Sequence, residues 1–538
     1  MIVIDPVTLD DAACTRASPK WVYDRTGTLV EVPPNTLGVT YDPSDLSKAP
    51  YALIEPAAIN HIRNNTMQGA AVGMPGSAPY FWAYRTVTVG LSAQTVAIGK
   101  FQGVDVLEFR LHGVATATSG FQLFLESTSG APAAAGQEFV FSTYLGIAGG
   151  GLSGVTSMAM SLDEYDASGA YLASGGATVS PTEVFRRFSA TRTIARATAA
   201  FVRPIINIYV LQGQSIDLTL RIGLPQLERD RVTSPIKTSG SAVTRAADII
   251  NSTPGLIYSN VPITEPAYDA AATYAKDAAV YDPVTKLVYW SMLDANKGNP
   301  LSDPSKWNKR GATNRWAAFD DRNNTQSTSA EELLFVLSPR AIAQGLFLGN
   351  VDGSEVRVSI AVPNFGVVYS EARSLVMSTS NSSFFRWGFN RIRRRTSFLS
   401  LKLPNFYNGL VTIAIRRPGG VAKCGMCMIG PTVEPGPTLV GLSTEIKDYS
   451  TTLFNVDGSS STIERGYRKL MSLDVVIDTE SIEQAEDQMI AWRQKTAVWI
   501  GAAGRPDSII CGRYSSFKKV IESYPRSKMA LQIEGVLS

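Results

Sequence analysis

Ser215-Ile-Asp-Leu-Thr-Leu-Arg-Ile222 alternates polar and apolar residues without a slip. Successive side chains of a β-strand point to opposite faces, so this pattern predicts a strand with one wet and one buried face. Similar runs recur upstream: Thr86-Val-Thr-Val-Gly-Leu91, Val104-Asp-Val-Leu-Glu-Phe-Arg-Leu111, Phe121-Gln-Leu-Phe-Leu-Glu126 and Phe139-Val-Phe-Ser-Thr-Tyr-Leu145. Glycine-bearing turns separate them, which predicts an antiparallel sandwich or jelly roll over residues 51–250. A second strand-rich block covers 313–440, with Leu333-Leu-Phe-Val-Leu337, Val356-Arg-Val-Ser-Ile-Ala-Val362, Ser397-Phe-Leu-Ser-Leu-Lys-Leu403 and Leu410-Val-Thr-Ile-Ala-Ile415.

Around these blocks the composition changes. Residues 1–50 are turn-rich, with Asp24-Arg-Thr-Gly27 between Trp21-Val-Tyr23 and Thr28-Leu-Val-Glu-Val32, and read as a leader bearing a hairpin. Residues 251–312 are rich in Tyr, Trp, Asp and Lys and read as one small module. Residues 441–538 hold one helical pattern, about Ile482 to Lys495, with Ile482, Ala485, Met489 and Trp492 at helical spacing and Ser481 placed to cap it. Leu473-Asp-Val-Val-Ile477 and Met529-Ala-Leu-Gln-Ile533 flank that pattern as strands, which predicts a small C-terminal α+β domain. The fold class is therefore mainly β and multi-domain, with antiparallel β-sandwich or jelly-roll modules. A chain of 538 residues fits this, because single cores stop growing near ~250–300 residues.

The charge balance is nearly even, 50 basic against 47 acidic residues, so no polyanionic partner is expected. Arg391, Arg393, Arg394 and Arg395 form one basic run, read as a solvated strand end and not as a nucleic-acid site. Residues Met1 to Asp11 carry acids and no basic residue, unlike a signal or transit peptide, and no apolar stretch is long enough to span a membrane. No membrane insertion is expected.

Carbohydrate recognition needs flat apolar rings to stack on sugar C–H faces, with polar groups beside them. Tyr281, Tyr289, Trp290 and Trp307 supply such rings within 251–312 and are the candidate carbohydrate-binding residues. Tyr289 and Trp290 are neighbours in a strand and point to opposite sides, so one is core and the other exposed. The competing reading is that all four rings form the minimal core of a spacer. Pro79-Tyr-Phe-Trp-Ala-Tyr84 is a further aromatic run, better read as a buried strand.

Catalytic signatures are weak, and no catalytic residue is assigned. Gly151-Leu-Ser-Gly-Val155 lacks the register of a nucleophile elbow, and neither His61 nor His112 lies in a recognisable motif. Gly149 to Gly154 lacks the lysine of a phosphate loop. Asp163-Glu164 and Asp320-Asp321 are paired acids of a kind common in solvated turns. Cys424-Gly-Met-Cys427 has no second pair and no nearby histidine to complete a zinc site. It reads as buried free thiols in a strand, so no metal or cofactor is expected.

Four stretches resemble tailed-bacteriophage minor tail, tail-tip or fibre proteins. Arg16-Ala-Ser18, Tyr23-Asp-Arg-Thr-Gly-Thr-Leu-Val30, Tyr41-Asp-Pro43 and Leu53-Ile-Glu-Pro-Ala-Ala-Ile-Asn60 resemble the opening that precedes a carbohydrate-binding-like jelly roll in such proteins. Ala58 and Ile59 stand where that box usually has Arg and Thr. Phe188-Ser-Ala-Thr-Arg-Thr193, Leu224-Pro-Gln-Leu-Glu228, Thr233-Ser-Pro-Ile236 and Val243-Thr-Arg-Ala-Ala-Asp248 resemble its ending, with Pro235 in place of a tyrosine. Tyr268, Thr273-Tyr-Ala-Lys-Asp277, Val280-Tyr281, Lys286-Leu-Val-Tyr-Trp290, Pro300 and Trp307 resemble a small chitin-binding-type module, with Tyr268 in place of its opening tryptophan and Lys276-Asp277 in place of its usual Gly-Asp. Lys447-Asp-Tyr-Ser450, Arg465-Gly-Tyr-Arg-Lys469, Trp499-Ile-Gly501, Tyr514-Ser-Ser-Phe517 and Gln532-Ile-Glu-Gly535 look like the closing region of phage minor tail proteins.

The resemblance implies a virion structural protein of a tail tip, baseplate or fibre, assembled in host cytoplasm. Its implied partners are other tail proteins and host cell-surface glycans, contacted during adsorption. A homo-oligomer is expected, with a homotrimer about the tail axis favoured. An inert connector between tail hub and fibres, and a polysaccharide depolymerase, are the competing functions.

Overall fold

The computed structural model describes residues 1–538 except 87–89, 129, 378–392, 455–458, 503, 522–524 and 538. Arg391 and the middle of the Thr86–Leu91 run lie outside the described residues. The chain forms two compact units: Cys14–Ser47 with Leu53–Ile250, and Met1–Ala13 with Lys48–Ala52 and Asn251–Ser538. The leader expected over residues 1–50 is thus divided between the two. Strand ladders among the described residues are antiparallel, apart from the short parallel pair of Asp10–Asp11 with Gly255–Ser259.

The unit built on Cys14–Ser47 and Leu53–Ile250 is a β-sandwich. One sheet runs in the order Leu91–Phe101, Val104–Val114, Ser215–Arg229, Glu138–Gly150, Arg186–Thr193. The other runs Tyr171–Val179, Val155–Tyr165, Phe201–Val210, Ser119–Phe124, Ala83–Thr86. The alternation at 215–222 places Ile216, Leu218, Leu220 and Ile222 in the core between the sheets. Asp217 and Arg221 face outward and pair with Arg110 and Glu108 of the neighbouring strand. Phe109 and Phe121, one from each sheet, stack at 5.0 Å between ring centroids. Each such fully buried side chain contributes about 1.5–3 kcal/mol, and this cluster holds the unit together.

The hairpin Lys20–Tyr23 with Leu29–Val32 docks on this sandwich. Leu29 packs with Val104, Val106, Tyr144 and Leu224, and the Tyr23 hydroxyl donates to that of Tyr144 at 2.7 Å. The docking point is the turn at Gln102-Gly103, where Leu29 N–H donates to the Gln102 carbonyl. Gly103 has φ +79°, and a Cβ there would lie 2.2 Å from the Leu29 carbonyl oxygen, so only glycine fits.

The chain's entry and exit from the sandwich meet in a buried ion cluster. Arg16 and Lys20 both pair with Asp248, at 2.7 and 2.6 Å, with all three side chains fully buried. Lys20 also reaches Glu55 at 2.9 Å, and Arg245 reaches Glu55 at 2.6 Å. Three cations thus face two carboxylates. Backbone carbonyls take the surplus: Arg16 donates to those of Ser18, Thr36 and Pro33, Lys20 to Leu53, and Arg245 to Pro56. Glu55 accepts from the Ser234 N–H and hydroxyl, and Glu228 from the Thr233 N–H, tying the Leu224–Glu228 and Thr233–Ile236 segments to the same seam.

In the other unit, a six-stranded sheet runs Asp10–Asp11, Gly255–Ser259, Ser327–Ser338, Leu410–Cys424, Glu355–Val362, Gly366–Ser374. It shares a core, including Phe335, Ile413 and Leu348, with the sheet Phe398–Ser400, Gly345–Gly349, Met426–Gly430. Gly255–Ser259 therefore pairs with this sandwich, although it falls inside the 251–312 segment. The rest of that segment forms a three-stranded sheet, Ala279–Tyr281, Leu287–Ser291 and Trp307–Ala312, and a two-stranded one, Thr273–Tyr274 with Asn296–Lys297.

A seven-stranded sheet runs Thr432–Val433, Ile2–Ile4, Ala497–Ile500, Ile509–Val520, Arg526–Gly535, Tyr467–Asp478, Ser443–Asp448. The helix Ile482–Ala491 packs on one face of it through Ile482, Ala485 and Met489. The helix is shorter than the expected Ile482–Lys495, because Gln494 at φ +66° cannot continue it. Ser481 makes no capping bond: a preceding 3-10 turn holds it at φ −93°, ψ 4°, near-helical and not extended as capping requires.

Removing one partner of a buried ion cluster leaves an uncompensated charge. Asp248→Asn is expected to cost about 3–5 kcal/mol in the chemical-denaturation midpoint of its unit. Asp507→Ala, which breaks an exposed pair with Arg505, is expected to leave the midpoint of its own unit essentially unchanged. Burial pushes Glu55 up, but Lys20 and Arg245 outweigh it and hold its carboxyl below the usual range. Its contribution is therefore full above about pH 4.3 and lost as pH falls through the lowered native value. Thermal scans between neutral and acid pH are expected to show a shallower acid-side loss in Glu55→Gln than in the parent.

Candidate functional site

The outer face of the sheet holding Val155–Tyr165 and Phe201–Val210 carries the best-built site. Met158, Met160 and Leu162 point into the core, so the odd-numbered Ser161, Asp163 and Tyr165 must point outward. The same rule turns Arg203, Asn207 and Tyr209 outward from Phe201–Val210, and Gln122 from Ser119–Phe124. With Tyr171 and Ser174 of the neighbouring strand they line a depression of about 730 Å³.

The depression combines rings with fixed hydrogen-bonding groups. Tyr171 is 59% exposed and Tyr209 43% exposed, so both offer ring surface to solvent. Tyr171 stands edge-on to the buried Tyr165 at 6.0 Å, and the Arg203 guanidinium lies 4.2 Å from the Tyr165 ring centroid. Gln122 donates to the Asn207 side-chain oxygen at 3.1 Å, and Asn207 donates to the Ser161 hydroxyl at 2.9 Å, so these groups hold one orientation. The Ser174 hydroxyl donates to Asp163 at 2.5 Å. Burial pushes the Asp163 carboxyl up, with Ser174, Arg192 and Arg203 opposing. Arg203 also lines the recess; its guanidinium donates to the Ser127 carbonyl at 3.3 Å, while its Nε is enclosed without a hydrogen-bond partner.

Apart from Asp163, noted as one of a pair of acids, none of these residues stood out in the sequence, because they come from separate strands. The usable signal was their place on the off-core positions of period-2 strands. The run Pro79–Tyr84 behaves differently from the buried strand expected. Only Ala83–Thr86 is strand; Tyr80 is 63% exposed and Phe81 sits at φ +72°, so the run turns before it pairs.

In the small module the four candidate rings do not form one platform. Trp307 is 2% exposed and stands edge-on to Tyr268 and Tyr274 at 5.7 and 5.5 Å. Its indole N–H and the Tyr268 hydroxyl both donate to the Asn299 carbonyl, so Trp307 belongs to the module's core. Tyr289 is half-buried beside Trp307 in a depression of about 510 Å³ that also includes Met292 and Leu301. Trp290, next along the strand, faces the other way, is 38% exposed and carries Arg310 4.3 Å from a ring centroid. Tyr281 is half-buried, its backbone tied to Pro266 and Tyr268.

The paired acids do not converge. Glu164 points away from Asp163 and is buried under Arg192 and the Ala195 and Arg196 N–H groups. Asp320 accepts from Thr325 and the Arg322 N–H, while Asp321 lines a separate recess with Arg513. Cys424 and Cys427 lie buried in two strands hinged at Gly425, and burial pushes the Cys424 thiol up to about 12.

No protein-family model and no curated protein matches the sequence. Among solved structures, the enzymatically active domain of bacteriophage CBA120 tailspike protein 4 aligns at 16% identity over 28% of this chain and 19% of that chain, with a TM-score of 0.19. The CBM22-1 xylan-binding domain of Paenibacillus barcinonensis Xyn10C aligns at 13% identity over 32% of this chain and 94% of its own, with a TM-score of 0.20. The family 11 carbohydrate-binding module of Clostridium thermocellum Lic26A-Cel5E aligns at 9% identity over 30% and 95%, with a TM-score of 0.19. Likenesses this slight carry no functional argument, and the chemistry rests on the residues above.

The two tryptophans are expected to separate on mutation. Trp307→Ala should destabilise the unit containing the module by about 3–5 kcal/mol. Trp290→Ala, at an exposed position, should leave the denaturation midpoint within about 0.5 kcal/mol of the parent.

Proposed function

We propose that this chain is a structural component of a tailed-phage tail tip, baseplate or fibre that holds host-surface glycans on the outer sheet face of its jelly roll. The observation that carries the glycan reading is the depression at Tyr165, Tyr171, Arg203, Asn207 and Tyr209. Exposed tyrosine rings suit sugar C–H faces, while Gln122, Asn207, Asp163 and the Arg203 guanidinium that line the recess suit sugar hydroxyls. The tail reading is supported by the ordered resemblance and by what its motifs do here. Arg16, Glu55 and the Arg245–Asp248 pair of residues come from three separate motif stretches and meet in one buried cluster.

Binding without catalysis is the form of the proposal, since Asp163 and Glu164 face different environments. The connector reading gains from the small module, where Trp307, Tyr268 and Tyr274 serve as core and leave Trp290 as its outward ring.

The test is binding of the full chain to a glycan array and to purified host-envelope polysaccharide. Tyr171→Ala and Arg203→Ala are each expected to weaken binding about tenfold or more with the fold intact, as loss of one stacked ring or one charged hydrogen bond implies. Reducing-sugar release from the same polysaccharide is expected to stay at background. Absence of binding by the parent chain, or binding that these variants leave unchanged, would sink the assignment of this face.

A further inference from the structure

The last strand of the seven-stranded sheet is Ser443–Asp448, whose inner edge pairs with Tyr467–Asp478. Its outer edge pairs with no strand among the described residues, and all six of its residues are exposed. An open edge presents a row of unpaired N–H and C=O groups, a template for another strand. The side chains specify which strand fits. Thr444-Glu-Ile-Lys-Asp448 is charge-complementary to itself about Ile446. In antiparallel pairing centred there, Glu445 of one copy lies opposite Lys447 of the other, twice over, and Thr444 lies opposite Asp448.

The faces agree with this register. Thr444 pairs with Met471 and Ile446 with Lys469, so Ile446 shares the sheet face of Met471, a core residue. Ile446 is nonetheless 65% exposed, because no further strand covers it. Pairing about Ile446 sets the two isoleucines against each other, beside the exposed Lys469, and removes part of each from water. Glu445 and Lys447 then lie together on the opposite face. Neither forms an ion pair among the described residues, and the Lys447 ammonium lies 5.6 Å from its own Tyr449 ring.

Other edges lack this combination. Glu371 and Arg373 on Gly366–Ser374 have the same spacing, but they pair with each other, and Glu371 also accepts from Tyr369 and Ser400. Leu91–Phe101 is bulged between Thr95 and Ala97, with the Gly73 and Pro75 carbonyls taking the Thr95 N–H. We infer that Ser443–Asp448 is a self-association edge, and that its partner is the same strand of a second copy of this chain, joined about a two-fold axis at Ile446. Such an isologous contact closes as a dimer. It leaves the trimer expected for a chain wrapped around a tail axis without a use for this edge.

The test is the mass of the full chain in solution, by sedimentation velocity up to ~100 μM, where small interfaces are populated. A dimer is expected. Glu445→Lys places lysines opposite each other at both symmetric positions and should raise the dissociation constant about tenfold or more. Glu445→Lys combined with Lys447→Glu restores opposite charges and should return the constant to near the parent value. Both positions are exposed, and an unchanged melting temperature in each variant shows that the fold is intact. A monomer throughout the range, a trimer, a dimer indifferent to Glu445→Lys, or a loss that the double swap does not recover would each overturn the inference.

Discussion

Five charged side chains meet under the jelly roll where its chain enters and leaves, and the arrangement of that unit depends on them. Arg16 and Lys20 belong to the leader, Glu55 to the first crossing, and Arg245 and Asp248 to the exit. Taking such groups out of water costs several kcal/mol per ion, which the structure offsets through the ion pairs and the backbone carbonyls that receive the surplus donors, although the Arg245 Nε stays buried without a partner. The five fit together or not at all. The leader hairpin, the Glu55 loop and the exit strand are accordingly fixed to one another, although they are far apart in sequence.

That seam shares no residue with the outer sheet face. The sandwich is positioned by apolar contacts such as Phe109 on Phe121, and these fix which residues remain to point outward. A recess with aromatic rings, an amide–hydroxyl relay and a guanidinium results from strands whose inner faces are set by packing. Rigid strands hold polar groups in one orientation at less entropic cost than loops would, which suits a binding surface.

Much of the architecture was legible in the residues. Ser215–Ile222 and Val104–Leu111 show the period of two, and they pair side by side with their apolar residues on the core face. The Trp21–Val32 hairpin, the Leu473 and Met529 strands and the helix at 482 were readable for the same reason: each is a local pattern. The end of the helix was not, because it depends on the left-handed turn at Gln494, which no periodicity announces. Gly255–Ser259 looked like part of the aromatic module and pairs instead with Ser327–Ser338, a non-local choice.

The sequence by itself determined a mainly β chain of several packed blocks, because alternation and turn residues act over a few neighbours. It also carried the motif residues Arg16, Glu55, Arg245 and Asp248, without showing that they touch. Tertiary structure alone decided which aromatic is core and which is face. Trp307 is enclosed by Tyr268 and Tyr274 while Trp290 faces solvent, and the two are chemically alike. It also decided that Tyr165, Arg203 and Asn207 share one recess. Burial and juxtaposition depend on which distant strands pair, and that pairing is set by the sum of the cores, not by any one segment.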